Sequence, residues 1–502
     1  MKKKIIVIYL NSSKIILKSI KHLLIIKLKI MDKKISLVKL LLCLFLLLTV
    51  YLVINLTYLK NDKFATYIKT NFPKTDKTIF VVPSNFNLEK QFKSLLYKSK
   101  QGTSYFDTQI KSTQFLNFSE KKFFLDSYTY DSSGMKAVAF IEFFKNNIFI
   151  VSGDGKFSFF KNNEIPIIKK NNKIFLKPKN ISSNIKDIIK DPSFYNTDRS
   201  IPFSHFNSVS DILVVDDYLY LSFNRVVKKD CYTKSIIRAK ISLDFLLFED
   251  FFFEKKECRD QIKNVKKYNG HQSGGRMIEL LQTSKFNIFN PNNKKLLFAL
   301  GDFRSNRSKT IPDAQNLESI FGKKILIDIK TKEYKVFSSG HRNSQGILHD
   351  TKHDILLATE HGPYGGDEIN NIKYEGNYGW PISSYGENYP RKPADKEKKF
   401  YFKKDHETLN FEEPIFAFTK SIGISEIIKV PDNFHEKWKD NYLVGSLNGQ
   451  KLLRLKLDKN FQKILAMEII HVGERIRDIK IKGDKIFMIL ENSPSFSIFT
   501  LK

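Results

Sequence analysis

The segment HDILLAT, from His353 to Thr359, joins a polar pair to a short apolar run. Five further segments have the same design, in which a polar pair or turn precedes four to six apolar or aromatic residues. They are NNIFIV (Asn146–Val151), DDYLYL (Asp216–Leu221), KKLLFAL (Lys294–Leu300), DNYLVG (Asp440–Gly445) and GDKIFMIL (Gly483–Leu490). Because turn-forming residues precede runs that are too short for helices, each segment is predicted to be a strand.

The six copies are spaced by roughly 45 to 90 residues, which suits one blade of four strands and its loops. The sequence therefore predicts an all-β fold, a six-bladed β-propeller of four-stranded blades. Periodicity alone leaves a β-sandwich as the alternative, because such strands occur in both folds. We expect the propeller to occupy residues 126–502 and a membrane-proximal extension to occupy residues 60–125.

The composition fits a folded protein. The chain has 502 residues, of which 42% are hydrophobic and 13% aromatic, enough to bury a sizeable core. A net charge of +31 could indicate a nucleic-acid-binding protein, but only 12 of the 84 basic residues are Arg, and Lys is spread along the chain. The abundance of Lys, Asn, Ile and Phe indicates AT-rich codon usage. No nucleic-acid-binding module is recognisable, so we predict no nucleic-acid partner.

An apolar run near the N-terminus predicts a membrane anchor. Residues 40–56 read LLLCLFLLLTVYLVINL, and apolar residues on both sides make the run long enough to cross a bilayer. Eleven Lys and one Asp precede it, so the positive-inside rule places the N-terminus in the cytoplasm. We expect a basic cytoplasmic segment at 1–34 and one transmembrane helix at 35–59. The propeller would then lie on the periplasmic side of the inner (cytoplasmic) membrane.

Two alternatives remain for this region. The run could be a signal peptide that is removed, although no small-residue cleavage site follows it. Translation could also begin at Met31, which is followed by a shorter version of the same signal, MDKKISLVK.

Cysteine usage agrees with export. Cys43 lies in the apolar run, which leaves Cys231 and Cys258 for the exported part. In an oxidising compartment this pair can form one disulfide, and two free buried thiols are the alternative. The sequence contains neither an H-E-x-x-H nor a C-x-x-C motif, so it indicates no zinc site.

Residues suited to chemistry are concentrated in Gly-containing motifs. The densest region reads GHRNSQG (Gly340–Gly346), EHGPYGGDE (Glu360–Glu368) and GNYGWP (Gly376–Pro381). The others are GHQSGGRM (Gly270–Met277), an ALGD segment that ends at Asp302, and GERIRD (Gly473–Asp478). Four of the twelve arginines lie in these motifs: Arg276, Arg342, Arg475 and Arg477. Since Arg475 and Arg477 are two residues apart in a predicted strand, both can face one ligand.

These motifs resemble, in order and approximate spacing, those of PQQ-dependent aldose sugar dehydrogenases, the glucose/sorbosone dehydrogenase family. Members of that family carry G-H-R-N-P-Q-G, E-H-G-P-x-G-G-D-E and N-Y-G-W-P segments, an upstream H-x-G-G-R-like element and a downstream R-I-R-D. The resemblance covers roughly residues 130 to 502. It implies pyrroloquinoline quinone (PQQ) and Ca²⁺ as cofactors, an aldose sugar as substrate and a membrane-linked electron acceptor as partner.

The resemblance also implies residue roles. His271 would be the general base that takes the proton from the C1 hydroxyl of the sugar, Asp302 would orient it, and Arg342 would support developing negative charge. The backbone carbonyls of Gly362 and Pro363 would bind Ca²⁺, a cation that prefers oxygen ligands. Residues expected to bind the quinone, whose three carboxylates suit guanidinium groups, are Arg342, Asn343, Gln345, His361, Arg475 and Arg477.

Three departures from the family pattern bear on function. Asn448 replaces a Lys that is usual in the segment GSLNGQK, and Ser344 replaces the usual Pro. The motif with His271 also has one extra residue before Gly-Gly-Arg. In addition, Asp367 and Glu368 could either hold a second ion or fix their loop.

Two functional hypotheses follow. The first is a PQQ- and calcium-dependent dehydrogenase that oxidises aldoses to lactones. The second is a non-catalytic propeller that acts as a carbohydrate- or protein-binding module.

Overall fold

The fold was determined as a computed structural model. It describes residues 109–125, 138–170, 173–188, 209–228, 231–260, 272–303, 311–387, 402–404 and 406–502. The described residues all belong to one compact unit, which spans residues 103–502. The transmembrane helix predicted at 35–59 lies outside the described residues. Within the described ranges, no helix is both long and apolar enough to cross a membrane.

The described strands form six sheets, which we number in chain order. Two strands, β1 (Gln109–Ser112) and β2 (Asn117–Leu125), come before sheet 1. Sheet 1 contains β3 (Ala139–Phe144), β4 (Asn147–Ser152), β5 (Phe157–Lys161), β8 (Lys179–Ser183) and β12 (Phe245–Leu246). Sheet 2 contains β9 (Val209–Val215), β10 (Tyr218–Lys228), β11 (Cys231–Lys240), β13 (Glu249–Phe253) and β14 (Arg259–Asp260).

The next three sheets each consist of four consecutive strands. Sheet 3 contains β15 (Gly274–Leu280), β16 (Lys295–Leu300), β17 (Lys324–Asp328) and β18 (Tyr334–Ser338). Sheet 4 contains β19 (Ser344–Asp350), β20 (Ile355–Glu360), β21 (Asp367–Ile372) and β22 (Phe416–Phe418). Sheet 5 contains β23 (Ile424–Lys429), β24 (Asn441–Ser446), β25 (Lys451–Leu457) and β26 (Ile464–His471).

Sheet 6 combines strands from both ends of the described chain. It contains β27 (Ile476–Lys482), β28 (Lys485–Leu490) and β29 (Ser495–Leu501), together with β1, β2, β6 (Ile167–Lys170) and β7 (Lys173–Leu176). Helical structure among the described residues is limited to the short helix α1 (Ile185–Ile188) and two 3₁₀ turns at Glu407–Leu409 and Glu436–Trp438.

Each of the six repeated segments forms the second strand of a different sheet: β4, β10, β16, β20, β24 and β28. Positive φ values explain the Asp residue before three of these strands: 53° at Asp216, 49° at Asp354 and 55° at Asp440. Asp and Asn adopt this left-handed conformation more readily than other non-glycine residues.

The arrangement of the sheets confirms the predicted all-β propeller. The first strands of the sheets, β3, β9, β15, β19, β23 and β27, contact one another in a closed ring. Six of the seven hydrophobic clusters in the described part of the chain each lie between two adjacent sheets. The expectation of uniform four-stranded blades holds only for sheets 3, 4 and 5, because sheets 1 and 2 have five strands and sheet 6 has seven.

The ring is closed by strands that are distant in sequence. β2 pairs antiparallel with β29, from Phe118 opposite Leu501 to Phe124 opposite Ser495. Ser497 Oγ donates to Glu120 Oε1 at 2.9 Å, across 377 residues of sequence. The extension predicted at 60–125 therefore ends earlier than expected, because residues 117–125 are part of a propeller sheet.

Of the two states that the sequence allows for Cys231 and Cys258, the structure has the disulfide. Cys231 and Cys258 are joined across a separation of 27 residues. The bond links the start of β11 to the segment that leads into β14, beside the direct pairing of these two strands.

A buried ion cluster lies on the inner strands. Arg276, on β15, is 4% exposed. Its Nη1 atom lies 2.9 Å from Asp211 Oδ1 on β9, 2.8 Å from Glu426 Oε2 on β23 and 2.9 Å from Asp478 Oδ1 on β27. One guanidinium group thus connects four of the six inner strands.

Arg276 also contacts the two remaining inner strands. Its Nε atom donates to the carbonyl of Gln345 on β19 at 2.8 Å, and its Cζ atom lies 4.9 Å from the ring centre of Phe140 on β3. Its Nη2 atom donates to the carbonyl of Arg477 at 3.0 Å. Although Arg276 lies in a motif, as the arginines expected to bind the quinone do, each of its three guanidinium nitrogens has a partner within the protein.

Three carboxylates surround Arg276, and the pKa values of two of them are raised. Burial raises the pKa of Glu426 to about 8, against the attraction of Arg276, and raises the pKa of Asp211 to about 6. Because the pKa of Glu426 in the folded state lies above its usual value, its contribution to stability is largest in acid. That contribution is lost as the pH rises toward about 8.

This predicts a pH-dependent effect of Glu426→Gln. The amide retains an oxygen for Arg276 but carries no charge that burial must desolvate. We expect the melting temperature of E426Q, relative to wild type, to rise between about pH 5 and about pH 9. The exposed residue Glu318 supplies the control variant E318Q, which should show no trend. A difference between E426Q and wild type that is constant across this range would contradict the assignment.

Candidate active site

The predicted site residues that the structure describes share one end of the propeller. Gly274, Ser344 and Ile476 begin the inner strands β15, β19 and β27, and Leu300 and Glu360 end the second strands β16 and β20. Since the first and second strands of each sheet are antiparallel, the start of one and the end of the other lie at the same edge. The motifs from distant parts of the sequence therefore converge.

Asp302 is held by two side chains that the sequence did not assign. It is 1% exposed, and its Oδ2 atom accepts a hydrogen bond from Trp380 Nε1 at 2.8 Å. With the Gln272 amide oriented to satisfy both of its neighbours, its nitrogen donates to Asp302 Oδ1 at 3.0 Å. The backbone N–H of Asp302 donates to the carbonyl of Arg342 at 2.9 Å. His271, the predicted base, lies outside the described residues.

The two Nη atoms of Arg342 have hydrogen-bond partners, while its Nε atom has none among the described residues. It is 4% exposed, its Nη1 atom donates to the carbonyl of His361 at 2.8 Å, and its Nη2 atom donates to the Gln272 oxygen at 3.0 Å. Its Cζ atom lies 5.2 Å from the ring centre of Trp380. Its Nε atom is buried and has no hydrogen-bond partner in the described part of the chain. A buried donor of this kind is a candidate contact for a ligand oxygen.

His361 is held as a neutral imidazole. Its Nε2 atom lies 2.6 Å from the carbonyl of Ile424, an acceptor, so this nitrogen carries the proton. Its Nδ1 atom then accepts from Asn343 Nδ2 at 3.3 Å. Burial lowers the pKa of His361; Asp367 opposes this effect, while the nearby charges of Arg342 and Arg477 strengthen it.

Asn343 and Gln345 continue the same network. Asn343 Oδ1 accepts from the backbone N–H of Gly274 and from Gln345 Nε2, both at 3.1 Å. Gln345 Oε1 in turn accepts from Arg477 Nη1 at 3.0 Å. The polar contacts therefore run from sheet 3 through sheet 4 to sheet 6.

Arg475 and Arg477 face one side of their chain segment, as the sequence predicts, and share an anion of the protein. Arg475 Nε donates to Glu491 Oε2 at 2.7 Å, and Arg477 Nε donates to Glu491 Oε1 at 2.6 Å. Glu491 is fully buried, yet the two guanidinium groups keep its pKa below the usual value. Two cations against one anion leave a net positive charge next to Gln345.

The loop between β20 and β21 has the features expected of a cation-binding turn. Gly365 and Gly366 have φ values of 81° and 66°, and a Cβ atom on Gly366 would lie 2.2 Å from the nitrogen of Gly386. Among the described residues, no hydrogen bond is seen to the carbonyl of Gly362 or Pro363. Within the described ranges these two carbonyls accept no hydrogen bond, and carbonyl oxygens are a ligand type that suits a hard cation. No cluster of three or more His, Cys, Asp or Glu side chains suited to a metal is found in the described ranges.

Of the two roles open to Asp367, fixing the loop is the one that the structure shows. Its oxygens accept from the N–H groups of Gly362 at 3.1 Å, Gly423 at 2.7 Å and Ile424 at 3.2 Å. Both oxygens also accept from Ser421 Oγ, at 2.8 and 2.9 Å. The neighbouring Glu368 differs, because burial raises its pKa to about 8.

The replacement of the usual Pro by Ser344 has a structural partner. Ser344 Oγ contacts Lys324 Nζ at 2.9 Å and Glu360 Oε2 at 3.3 Å in a buried cluster. Glu360 also accepts hydrogen bonds from the backbone N–H groups of Arg342 and Asn343. The serine therefore joins a network that holds the backbone of two site residues.

Three residues of the site were not assigned from sequence. Gln272 lies in the motif GHQSGGRM and Trp380 in GNYGWP, so their positions in the sequence could have identified them as site residues. Glu491 lies in no motif, and its relation to Arg475 and Arg477 depends on the pairing of β27 with β28. Only the fold shows that relation.

A family model described as glucose/sorbosone dehydrogenase matches residues 211–499. The chain belongs to the glucose/sorbosone dehydrogenase family. The match covers the described site residues from Gln272 to Glu491.

Individual relatives agree with this family assignment. The aldose sugar dehydrogenase of Escherichia coli is 25% identical over 213 residues, which is 40% of this chain and 54% of that protein. An uncharacterised protein of Synechocystis is 30% identical over 172 residues, 34% of this chain and 39% of that protein. The aligned segments thus span about half or less of these relatives. A solved glucose dehydrogenase structure has the same fold, with a TM-score of 0.53 and 20% identity over 74% of this chain and 98% of that one.

The bonding of Asp367 leads to a stability prediction. Asp367→Asn turns one acceptor into an N–H₂ donor that faces other donors, so we expect a loss of about 2–4 kcal/mol in the free energy of unfolding. Hydrogen exchange at Gly362 and Gly423 should become faster. The control is Asp432→Asn, at an exposed carboxylate 3.0 Å from Lys352, which should cost little. If D367N and D432N had equal effects, the loop-fixing role would be refuted.

Proposed function

We propose that this family member is a membrane-anchored, PQQ-dependent dehydrogenase that oxidises the C1 hydroxyl of aldose sugars to lactones. The observation that carries the proposal is the single polar network at one end of the propeller. It joins Asp302, Arg342, Asn343, Gln345, His361 and Arg477, which are six of the residues expected from the family motifs.

The charges of this network fit a planar quinone with three carboxylates. Arg475 and Arg477 keep a net positive charge after pairing with Glu491, and guanidinium groups bind carboxylates bidentately. The unpartnered Nε atom of Arg342 offers a donor to a ligand oxygen at the centre of the site. A preorganised donor of this kind stabilises negative charge without reorganisation.

We infer that a calcium ion would bind at the carbonyls of Gly362 and Pro363, which accept no hydrogen bond from the described residues. The oxygen donors suit Ca²⁺, and Asp367 holds the Gly362 N–H so that the turn keeps its shape. The remaining ligands of such an ion would come from the quinone and from water.

The chemistry divides between the cofactor and the chain. PQQ, when bound, supplies the two-electron acceptor that takes the hydride from C1 of the sugar. In the proposed reaction His271 takes the proton of the C1 hydroxyl as general base. Asp302, held by Trp380 and Gln272, would orient that histidine and stabilise its cationic form.

The remaining parts of the proposal come from the sequence. The apolar run at 35–59 would anchor the chain in the inner membrane with the propeller in the periplasm. Electrons from the reduced cofactor would then pass to a membrane-linked acceptor.

The direct test is reconstitution of the full-length chain with PQQ and Ca²⁺, followed by dye reduction with a panel of aldoses. We expect activity that requires both additions. His271→Ala should lower kcat by about 10²–10⁴-fold, because the base is lost, while quinone binding is retained. Quinone binding is measured as a shift in melting temperature.

The control for this substitution is His435→Ala, in the connection between β23 and β24 at the opposite end of the propeller. It should leave activity unchanged. An absence of both dye reduction and a thermal shift in wild type would reject the enzyme and favour the binding-module hypothesis.

A second prediction concerns the missing lysine. Asn448 is exposed, and its Nδ2 atom lies 3.4 Å from the carbonyl of Ser421, next to the loop that Asp367 fixes. Asn448→Lys adds a cation on the side where the quinone carboxylates are expected. We expect PQQ to bind about threefold to thirtyfold more tightly at low salt, with the gain reduced at high salt. The uncharged control Asn448→Gln should give no gain; an equal gain in both variants would refute the charge effect.

A further inference from the structure

Gln272 occupies a position that is costly for its residue type. Its φ is 61°, in the left-handed region that non-glycine residues rarely adopt. Its carbonyl accepts from the N–H of Phe303 at 2.9 Å, which fixes this backbone against the segment that carries Asp302. Strained conformations of this kind persist where the surroundings over-determine them, often at functional sites.

The side chain of Gln272 lies between two opposite charges. Its amide nitrogen donates to Asp302 Oδ1 and its amide oxygen accepts from Arg342 Nη2, each at 3.0 Å. On the other side, Trp380 donates to Asp302 Oδ2 and lies beneath the Arg342 guanidinium. Asp302, Gln272, Arg342 and Trp380 therefore form a closed circuit of contacts.

The amide prevents a direct ion pair. Asp302 and Arg342 are both almost fully buried, and a carboxylate in direct contact with a guanidinium would have much of its charge neutralised. The neutral Gln272 amide instead offers an N–H donor to the Asp302 carboxylate and an oxygen acceptor to the Arg342 guanidinium. Asp302 and Arg342 thus interact with each other through a neutral amide.

We propose that Gln272 is a positioning residue that holds Asp302 and Arg342 apart and so preserves both charges for the reaction. The inference rests on the proposed function for its kinetic consequences. Its structural content, the state of the Asp302 carboxylate, can be measured without any cofactor.

The kinetic test compares three variants of the full-length chain. Gln272→Met removes both hydrogen bonds at similar size, and Gln272→Glu places a carboxylate against Asp302. Gln272→Asn suits the left-handed backbone better but is one methylene too short to reach both partners. We expect all three to lower kcat by about 10- to 100-fold, with KM for the sugar changed by less than about threefold.

The pH profile separates positioning from a structural role. In Q272E two carboxylates would lie about 3 Å apart, and like charges at this distance favour protonation of the pair. The acidic limb of the kcat profile should therefore move to higher pH in Q272E and stay in place in Q272M. If Q272N retained wild-type kcat, the glutamine would serve only the backbone and the proposal would be overturned.

A measurement that is independent of activity uses the indole N–H of Trp380, which donates to Asp302. The chain has two tryptophans, so Trp380→Phe assigns the two ¹⁵N-labelled indole resonances of the protein without quinone. The Trp380 resonance should titrate at higher pH in Q272E than in wild type. Identical titrations would overturn the proposal. If wild type lacks dehydrogenase activity but the Q272E resonance shifts as expected, the proposed function fails and the charge-separating role stands.

Discussion

The guanidinium of Arg276 is the contact on which the propeller depends. It meets side chains or carbonyls from the inner strands of every other sheet, and β15 supplies the arginine itself. Because a buried charge is tolerated only when it is paired and hydrogen-bonded, the partners must all stay in place. The carboxylates raise the pKa of Arg276 above its usual value despite burial, so it remains charged. The ring therefore closes with this ion and its carboxylate partners buried among the inner strands.

The candidate site is built directly on that cluster. Arg276 binds the carbonyls of Gln345 and Arg477, whose side chains bond to each other in the site network. Hydrogen bonds from Arg276 therefore fix the backbone of Gln345 and Arg477. A hydrogen bond between their side chains fixes the side chains relative to each other. The convergence of sheets 4 and 6 at the site follows from the same arginine that holds the sheets together.

Much of the fold and of the candidate site could be predicted from local sequence. The polar-turn repeat marked the second strand of all six sheets, since a left-handed turn residue and an apolar run are local features. The motifs also marked Asp302, Arg342 and His361, which the structure brings together. Features that depend on tertiary pairing were not available in this way. Arg276 could not be separated from the ligand-facing arginines, because its carboxylate partners lie on three other sheets.

The same reason explains the other differences. Glu491 becomes a partner of Arg475 and Arg477 only through the pairing of neighbouring strands. The pairing of β2 with β29 could not be predicted from local sequence, because the two strands are far apart in the chain. The roles of Asp367 and Glu368 differ although the residues are adjacent, because alternate residues of a strand face opposite sides of a sheet.

The joining of β2 to β29 sets an order of events during biosynthesis. A ribosome releases the N-terminal strand long before its partner, and the N–H of Lys502 bonds to the carbonyl of Asn117 at 3.0 Å. Sheets 2 to 5 can form while the chain is still being made, since each draws on one continuous stretch of nascent polypeptide. The edge of β2 that pairs with β29 stays open until β29 has been synthesised, and unpaired strand edges are prone to aggregation. A chain without β29 would therefore have an open ring with an exposed edge on β2.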